Sequence, residues 1–348
     1  MKENIIGKSI LLIIEPFFGY GEIIEEELLK LGARSVYRKE SEFLPAGIRD
    51  GFSLKNILKW LCNPYGREKW TKNLIIEIEH LQFDTLFVVE NFPFKKYFLK
   101  YLKKKNPKIR MILFLWDTFK TQQPHYNDYL PLFDCCYSFD RDDARKYGLH
   151  YFPNFYIEKQ IPSISLCKYD IAFIGTMNRN NTRFRGRVLC KIHDFCLNNE
   201  LKTFFYLYYP IINNSNSFFK RLYHKIHDYE YNKEIEKLCE IGFIHSNPIP
   251  IDEYNEVMAN TRIVLDLSHR NRQGMTINAI AAIANGKKLI TTNKRIKEEP
   301  FYDPSAIYII DEENPFFDMS FVKQPYTPQD FSFLRMDNWL KHVINEEV

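Results

Sequence analysis

The stretch Asp266-Leu267-Ser268-His269-Arg270-Asn271-Arg272-Gln273-Gly274-Met275-Thr276, with its continuation Asn285-Gly286-Lys287-Lys288-Leu289-Ile290-Thr291-Thr292-Asn293, decides the fold. The apolar run Ile263–Ser268 reads as a buried strand that opens into a polar loop. Gly274 lets the backbone come close to another group just before a helix begins. That helix carries Ala279, Ala281, Ala282 and Ala284, small enough to lie tight on a sheet, and Gly286 ends it before the strand Lys288–Thr292. Strand, loop, helix and strand in this order form a cradle whose helix N-terminus favours an anion such as a phosphate.

The same alternation extends through the chain. Short apolar runs at Ser9–Glu15, Thr85–Glu90, Met111–Trp116, Cys135–Phe139, Ile171–Thr176, Thr203–Tyr208, Gly242–His245 and Ile307–Ile310 suit strands buried on both faces. Amphipathic segments between them, such as Glu22–Leu31 and Ile251–Asn260, have helical spacing. The pattern occurs twice, joined by the proline-bearing connector that begins Tyr151-Phe152-Pro153-Asn154-Phe155. The expectation is an α/β protein of two Rossmann-like domains facing across a cleft. The first spans 1–160 and the second 161–315, and a tail, 316–348, returns to the first.

Composition agrees with a large aqueous fold. Of 348 residues, 45% are hydrophobic and 26% charged, and the 48 basic against 44 acidic residues leave a net charge of +4. That is far below the charge of a dedicated nucleic-acid binder. No run reaches the ~20 apolar residues of a membrane span. Met1-Lys2-Glu3-Asn4 does not open a signal peptide. The seven cysteines show no CxxC spacing and read as reduced thiols, so a cytoplasmic protein is expected.

Two further loops follow strands. Glu15-Pro16-Phe17-Phe18-Gly19-Tyr20-Gly21 leaves the first strand, and its glycines suit a tight turn or a close ligand. Gly175-Thr176 ends the first strand of the second domain and leads to Arg179, Arg183, Arg185 and Arg187. Backbone N–H groups with guanidinium forks suit a diphosphate.

Together, the two-domain layout, Phe173-Ile174-Gly175-Thr176 and the Gln273-Gly274-Met275-Thr276 block resemble GT-B-fold glycosyltransferases. More narrowly they resemble bacterial proteins of capsule and lipopolysaccharide biosynthesis. The resemblance implies a metal-independent enzyme with no cofactor, in which a nucleotide sugar is the co-substrate. It implies a donor held by Gly175, Thr176, Arg179, Arg183, His269, Arg272, Gln273, Gly274 and Thr276. The acceptor, a glycan or lipid-linked glycan, would lie near Gly19, Tyr20 and Gly21. One departure stands out: where many GT-B enzymes carry an acidic ribose-binding residue, this chain has Ala281. That departure keeps open a non-catalytic binding protein on a decayed transferase fold, and a nucleotide-sugar epimerase is the other alternative.

Acid–base chemistry needs a carboxylate or histidine at the cleft. Glu15, Glu90 and Asp117 each close a first-domain strand and are the catalytic candidates. Asp140-Arg141-Asp142 spells a DxD but reads as a helix cap. Lys95–Arg110 interleaves basic and aromatic residues and suggests peripheral contact with the inner face of an anionic plasma membrane, as does Phe218–Lys225. Neither nucleic acid nor metal is expected, since His224 and His227 lack partners at zinc spacing.

Overall fold

The computed structural model describes residues 5–16, 19–40, 54–90, 92–118, 126–158, 167–177, 182–209, 236–268 and 274–345. The chain divides into two compact units. The first comprises Met1–Ile157, Asn271–Met275 and Phe331–Val348, and the second Glu158–Arg270 and Thr276–Asp330.

In the first unit, β1 (Ser9–Ile14), β2 (Ser35–Glu40), β3 (Thr85–Val89), β4 (Arg110–Leu115), β5 (Cys135–Ser138) and β6 (His150–Tyr151) form one parallel sheet. Its order is β2-β1-β3-β4-β5-β6. Every residue of β1 and β3 is buried, as strands covered on both faces must be. Around the sheet run α1 (Tyr20–Lys30), α2 (Leu54–Glu77), α3 (Tyr97–Lys105) and α4 (Arg141–Tyr147). Gly19, at φ 73°, turns the chain from β1 into α1. Asp140 caps α4 by accepting from the N–H groups of Asp142 and Asp143, so the DxD is a helix start.

In the second unit, β7 (Tyr169–Thr176), β8 (Thr203–Tyr208), β9 (Ile244–His245), β10 (Thr261–Asp266), β11 (Lys288–Thr291) and β12 (Ile307–Ile309) form a second parallel sheet, ordered β12-β11-β10-β7-β8-β9. Its helices include α5 (Thr182–Asn198), α6 (Ile251–Ala259), α7 (Ile277–Ala284) and α8 (Met319–Lys323).

Strand order positions the candidate loops. In an open parallel sheet, ligands bind beyond the carboxyl ends of the strands, where successive crossovers depart in opposite directions. In the first sheet that point lies between β1 and β3, and in the second between β7 and β10. Glu15 follows β1 and Glu90 follows β3, while Gly175 and Thr176 end β7 and Asp266 ends β10.

The C-terminal tail is divided. Residues 316–330 stay with the second unit, where Phe317, Phe321 and Val322 join its core. The last helix, α9 (Met336–Asn345), belongs to the first unit and buries Trp339, Leu340, Val343 and Ile344. No helix among the described residues is long and apolar enough to cross a membrane.

Candidate functional site

The carboxyl edge of the first sheet gathers Glu15, Glu90 and Asp117. Glu90 is 1% exposed, and its backbone is held in the left-handed region at φ 73°. A non-glycine residue there carries strain of about 1–3 kcal/mol, which persists only where the surroundings enforce it. Glu90 Oε2 accepts from the backbone N–H groups of Trp116 and Asp117, each at 2.9 Å. Its other oxygen, Oε1, is buried with no hydrogen-bond partner. Burial pushes the Glu90 carboxyl well above the usual range. The Asp117 and Glu15 carboxylates push it further, against the two N–H donations that pull it down. Burial thus favours the protonated form of Glu90, beside two further carboxyl groups. Burial also pushes the nearby Tyr20 phenol up to about 12.

At the carboxyl edge of the second sheet, Asp266 ties three hydroxyls together. Its Oδ2 accepts from Ser268 Oγ at 2.6 Å and Thr291 Oγ1 at 2.9 Å, and its Oδ1 from Thr276 Oγ1 at 3.0 Å. Because Thr276 donates its hydroxyl proton to Asp266, its lone pairs face Ala279 N–H and cap α7. Asp266 therefore fixes both flanks of segment 269–275. Arg185, on α5, joins the same edge by donating to the carbonyls of Thr176 and Leu267. Asp266→Ala leaves these hydroxyls without their acceptor and is expected to lower stability by about 2 kcal/mol. Thermal melting checks this, and an unchanged melting temperature would mean the hydroxyls find other partners.

No protein-family model matches the chain, and no curated protein matches it. Solved structures do. A Listeria monocytogenes protein assigned as a UDP-N-acetylglucosamine 2-epimerase superposes with a TM-score of 0.50 at 12% identity, over 97% of each chain. The E. coli trehalose-6-phosphate structure bound with UDP-2-fluoro glucose gives 0.51 at 12% identity, over 90% of each chain. A trehalose-6-phosphate synthase, studied for glycosyl transfer with retention, gives 0.51 at 11% identity, over 86% of this chain and 87% of that one. The fold is of the GT-B type. At this identity the likeness fixes the architecture and leaves the reaction open.

Within the GT-B frame, the glycines meet their own chain. A Cβ on Gly274 would lie 2.5 Å from the carbonyl oxygen of Phe139 and 2.6 Å from its ring. Gly274 N–H donates to the second oxygen of Asp140 at 3.3 Å, and Asn154 Nδ2 donates to the Met275 carbonyl at 3.2 Å. Residues 274 and 275 are thereby held in the first unit, which the spacing did not predict. The close approach that requires glycine here is to Phe139. Gly175 likewise faces Phe173 and Gly21 faces Glu40, whereas Gly19 has open space on its Cβ side.

Thr176 is exposed and Thr276 half-buried. Arg179, His269, Arg272 and Gln273 lie outside the described residues, as do the side chain of Arg183, the pair His224 and His227, and Phe218–Lys225. The two lysines of the GT-B-like block are internal braces. Lys287 Nζ donates to the carbonyls of Ala259 and Thr261, and Lys288 Nζ to those of Phe321 and Gln324. On α3, Phe98, Leu99 and Leu102 face the core. Lys96 pairs with Asp128, and Lys103 and Lys105 donate to backbone carbonyls of the same unit. Lys100, Lys103, Lys104 and Lys108 are exposed.

Sequence reading included Asp266 in the donor segment without a role for its carboxylate, and missed Asn154. Asp266 carried a signal, a carboxylate closing a buried strand, but its three hydroxyl partners come from separate segments. Asn154 carried none beyond its place in the connector.

Proposed function

We propose that the chain is a nucleotide-sugar-dependent glycosyltransferase acting on a surface-glycan acceptor of the capsule or lipopolysaccharide kind. The observation that carries this reading is the buried, strained Glu90, with one carboxyl oxygen unpartnered, beside Asp117 and Glu15 at the first sheet's switch point. Carboxyl groups gathered at one sheet edge are equipment for proton transfer. In the proposed step the acceptor hydroxyl gives its proton to a carboxyl group of this edge, with Asp117 the leading candidate for the base. The acceptor oxygen bonds to the anomeric carbon of the donor. The carbon–oxygen bond to the nucleoside diphosphate breaks, and the diphosphate departs with the electron pair. The donor belongs to the second unit's edge, which carries Thr176, Thr276, Arg185 and the N-terminus of α7. Two neighbours in this fold support a nucleotide-sugar substrate, one bound with UDP-2-fluoro glucose and one studied for glycosyl transfer.

A second reading has its own support. The Listeria protein assigned as an epimerase matches over 97% of each chain, and paired carboxyls can also remove and return a carbon-bound proton. Labelled nucleotide sugars separate the two. A transferase releases nucleoside diphosphate and labels an added glycan acceptor, whereas an epimerase isomerises the donor without one. No turnover of either kind across UDP-, GDP- and dTDP-sugars would leave the decayed-fold reading.

A further inference from the structure

We propose that Trp116 is a stacking platform for a neutral pyranose ring, placed beside the carboxyl groups of Glu15, Glu90 and Asp117. This rests on the reading that the first unit's carboxyl edge receives a glycan acceptor, and it assigns that role to a residue of its own.

Trp116 follows β4 and is half-buried. It is fixed at its backbone and at its ring. Its N–H donates to Glu90 Oε2 at 2.9 Å, which sets the Trp116–Asp117 peptide against the buried acid. Its ring joins a chain of aromatic contacts reaching into the core. Phe114 meets Trp339 at 4.5 Å, Trp339 meets Phe155 at 4.9 Å, Phe155 meets Tyr20 at 5.6 Å, and Tyr20 meets Trp116 at 6.0 Å. Trp339 and Phe155 are fully buried. Tyr20 crosses Trp116 at an interplanar angle of 61°, so it braces the indole rather than lying parallel on it. A large ring held this firmly while still meeting solvent is a preorganised contact surface, which lowers the ordering cost of binding.

The surrounding groups select the ligand. Glu90 Oε1 is buried without a hydrogen-bond partner, next to two more carboxyl groups. A suitable ligand presents an apolar face to the indole and hydrogen-bond donors to the carboxyl oxygens. A pyranose does both, with C–H bonds on one face and hydroxyls around its rim. A phosphate or carboxylate would be repelled, which separates this edge from the nucleotide.

Saturation-transfer NMR on the full chain tests the assignment without needing turnover. The probes are methyl glycosides of glucose, galactose, mannose and N-acetylglucosamine, with methyl glucosaminide as the cationic comparison. At least one neutral glycoside is expected to take up saturation, concentrated on the C–H protons of one face. Trp116→Leu is expected to weaken that binding about tenfold, and Trp116→Phe, which keeps a smaller ring, by less. If Trp116→Leu does not fold, as judged by circular dichroism, Trp116→Phe carries the test, with unchanged affinity the overturning result. The proposal also falls if no neutral glycoside binds the wild type, if only the cationic one does, or if Trp116→Leu binds like the wild type. Trp116-dependent glycoside binding in a protein that turns over no nucleotide sugar would keep the platform and end the transferase reading. Turnover with Trp116-independent glycoside binding would do the converse.

Discussion

Trp339→Ala is expected to destabilise the first unit by about 3–5 kcal/mol. Trp339 is 0% exposed, and its ring packs on Phe87, Phe114 and Phe155. Its indole N–H donates to the Pro153 carbonyl at 3.0 Å. Alanine removes the ring, opens a cavity beneath α9 and leaves that carbonyl unsatisfied. The loss spreads, because the segment before α9 is tied to the connector. Tyr156 N–H donates to the Leu334 carbonyl and Met336 N–H to the Tyr156 carbonyl. Two units need not unfold together, so urea denaturation should be followed with probes in each. The transition of the first unit is expected to move to lower urea while that of the second holds. A loss under about 1 kcal/mol would mean α9 is not part of the first core.

Glu90→Gln is expected to stabilise the protein and disable it. The sign follows from linkage. Glu90 has a raised folded-state pKa, so its contribution to stability is fully present below the unfolded pKa of an ordinary glutamate. That contribution is lost as pH rises towards the raised folded value. Glutamine is neutral at every pH, and its oxygen can still accept from the Trp116 and Asp117 N–H groups. Its melting temperature should therefore exceed that of the wild type at pH 8, and the gap should narrow towards pH 4. If Glu90 takes part in proton transfer, turnover should fall by about 10²–10⁴-fold. A stable buried glutamine with a lost reaction is the expected trade between stability and activity. A Gln variant that melts lower at pH 8, or that turns over like the wild type, would contradict this role.

Much of the architecture was legible because the central strands are buried on both faces. β1, β3 and β4 appear in the sequence as uninterrupted apolar runs, and the carboxylates closing them were identifiable for the same reason. β2 was not. Ser35-Val36-Tyr37-Arg38-Lys39-Glu40 is a half-exposed edge strand, and the charges that protect an edge also erase its apolar signal. Strand order, and with it both switch points, was inaccessible, because pairing between distant segments leaves no local trace. Gly274 shows the same limit. Its spacing suggested a ligand contact, but the partner that requires glycine is Phe139, in the other half of the chain. The tail divides near residue 330 because Phe321 and Trp339 join different cores, a distinction two similar apolar patterns do not carry.

We propose that the carboxyl edge of the second sheet holds a nucleoside diphosphate. Hydrogen–deuterium exchange on the full chain, with and without UDP, GDP and dTDP, tests it most directly. At least one of these diphosphates is expected to slow exchange in peptides covering 174–187 and 266–279. Protection confined to the first unit, or none with any of the three, would contradict it.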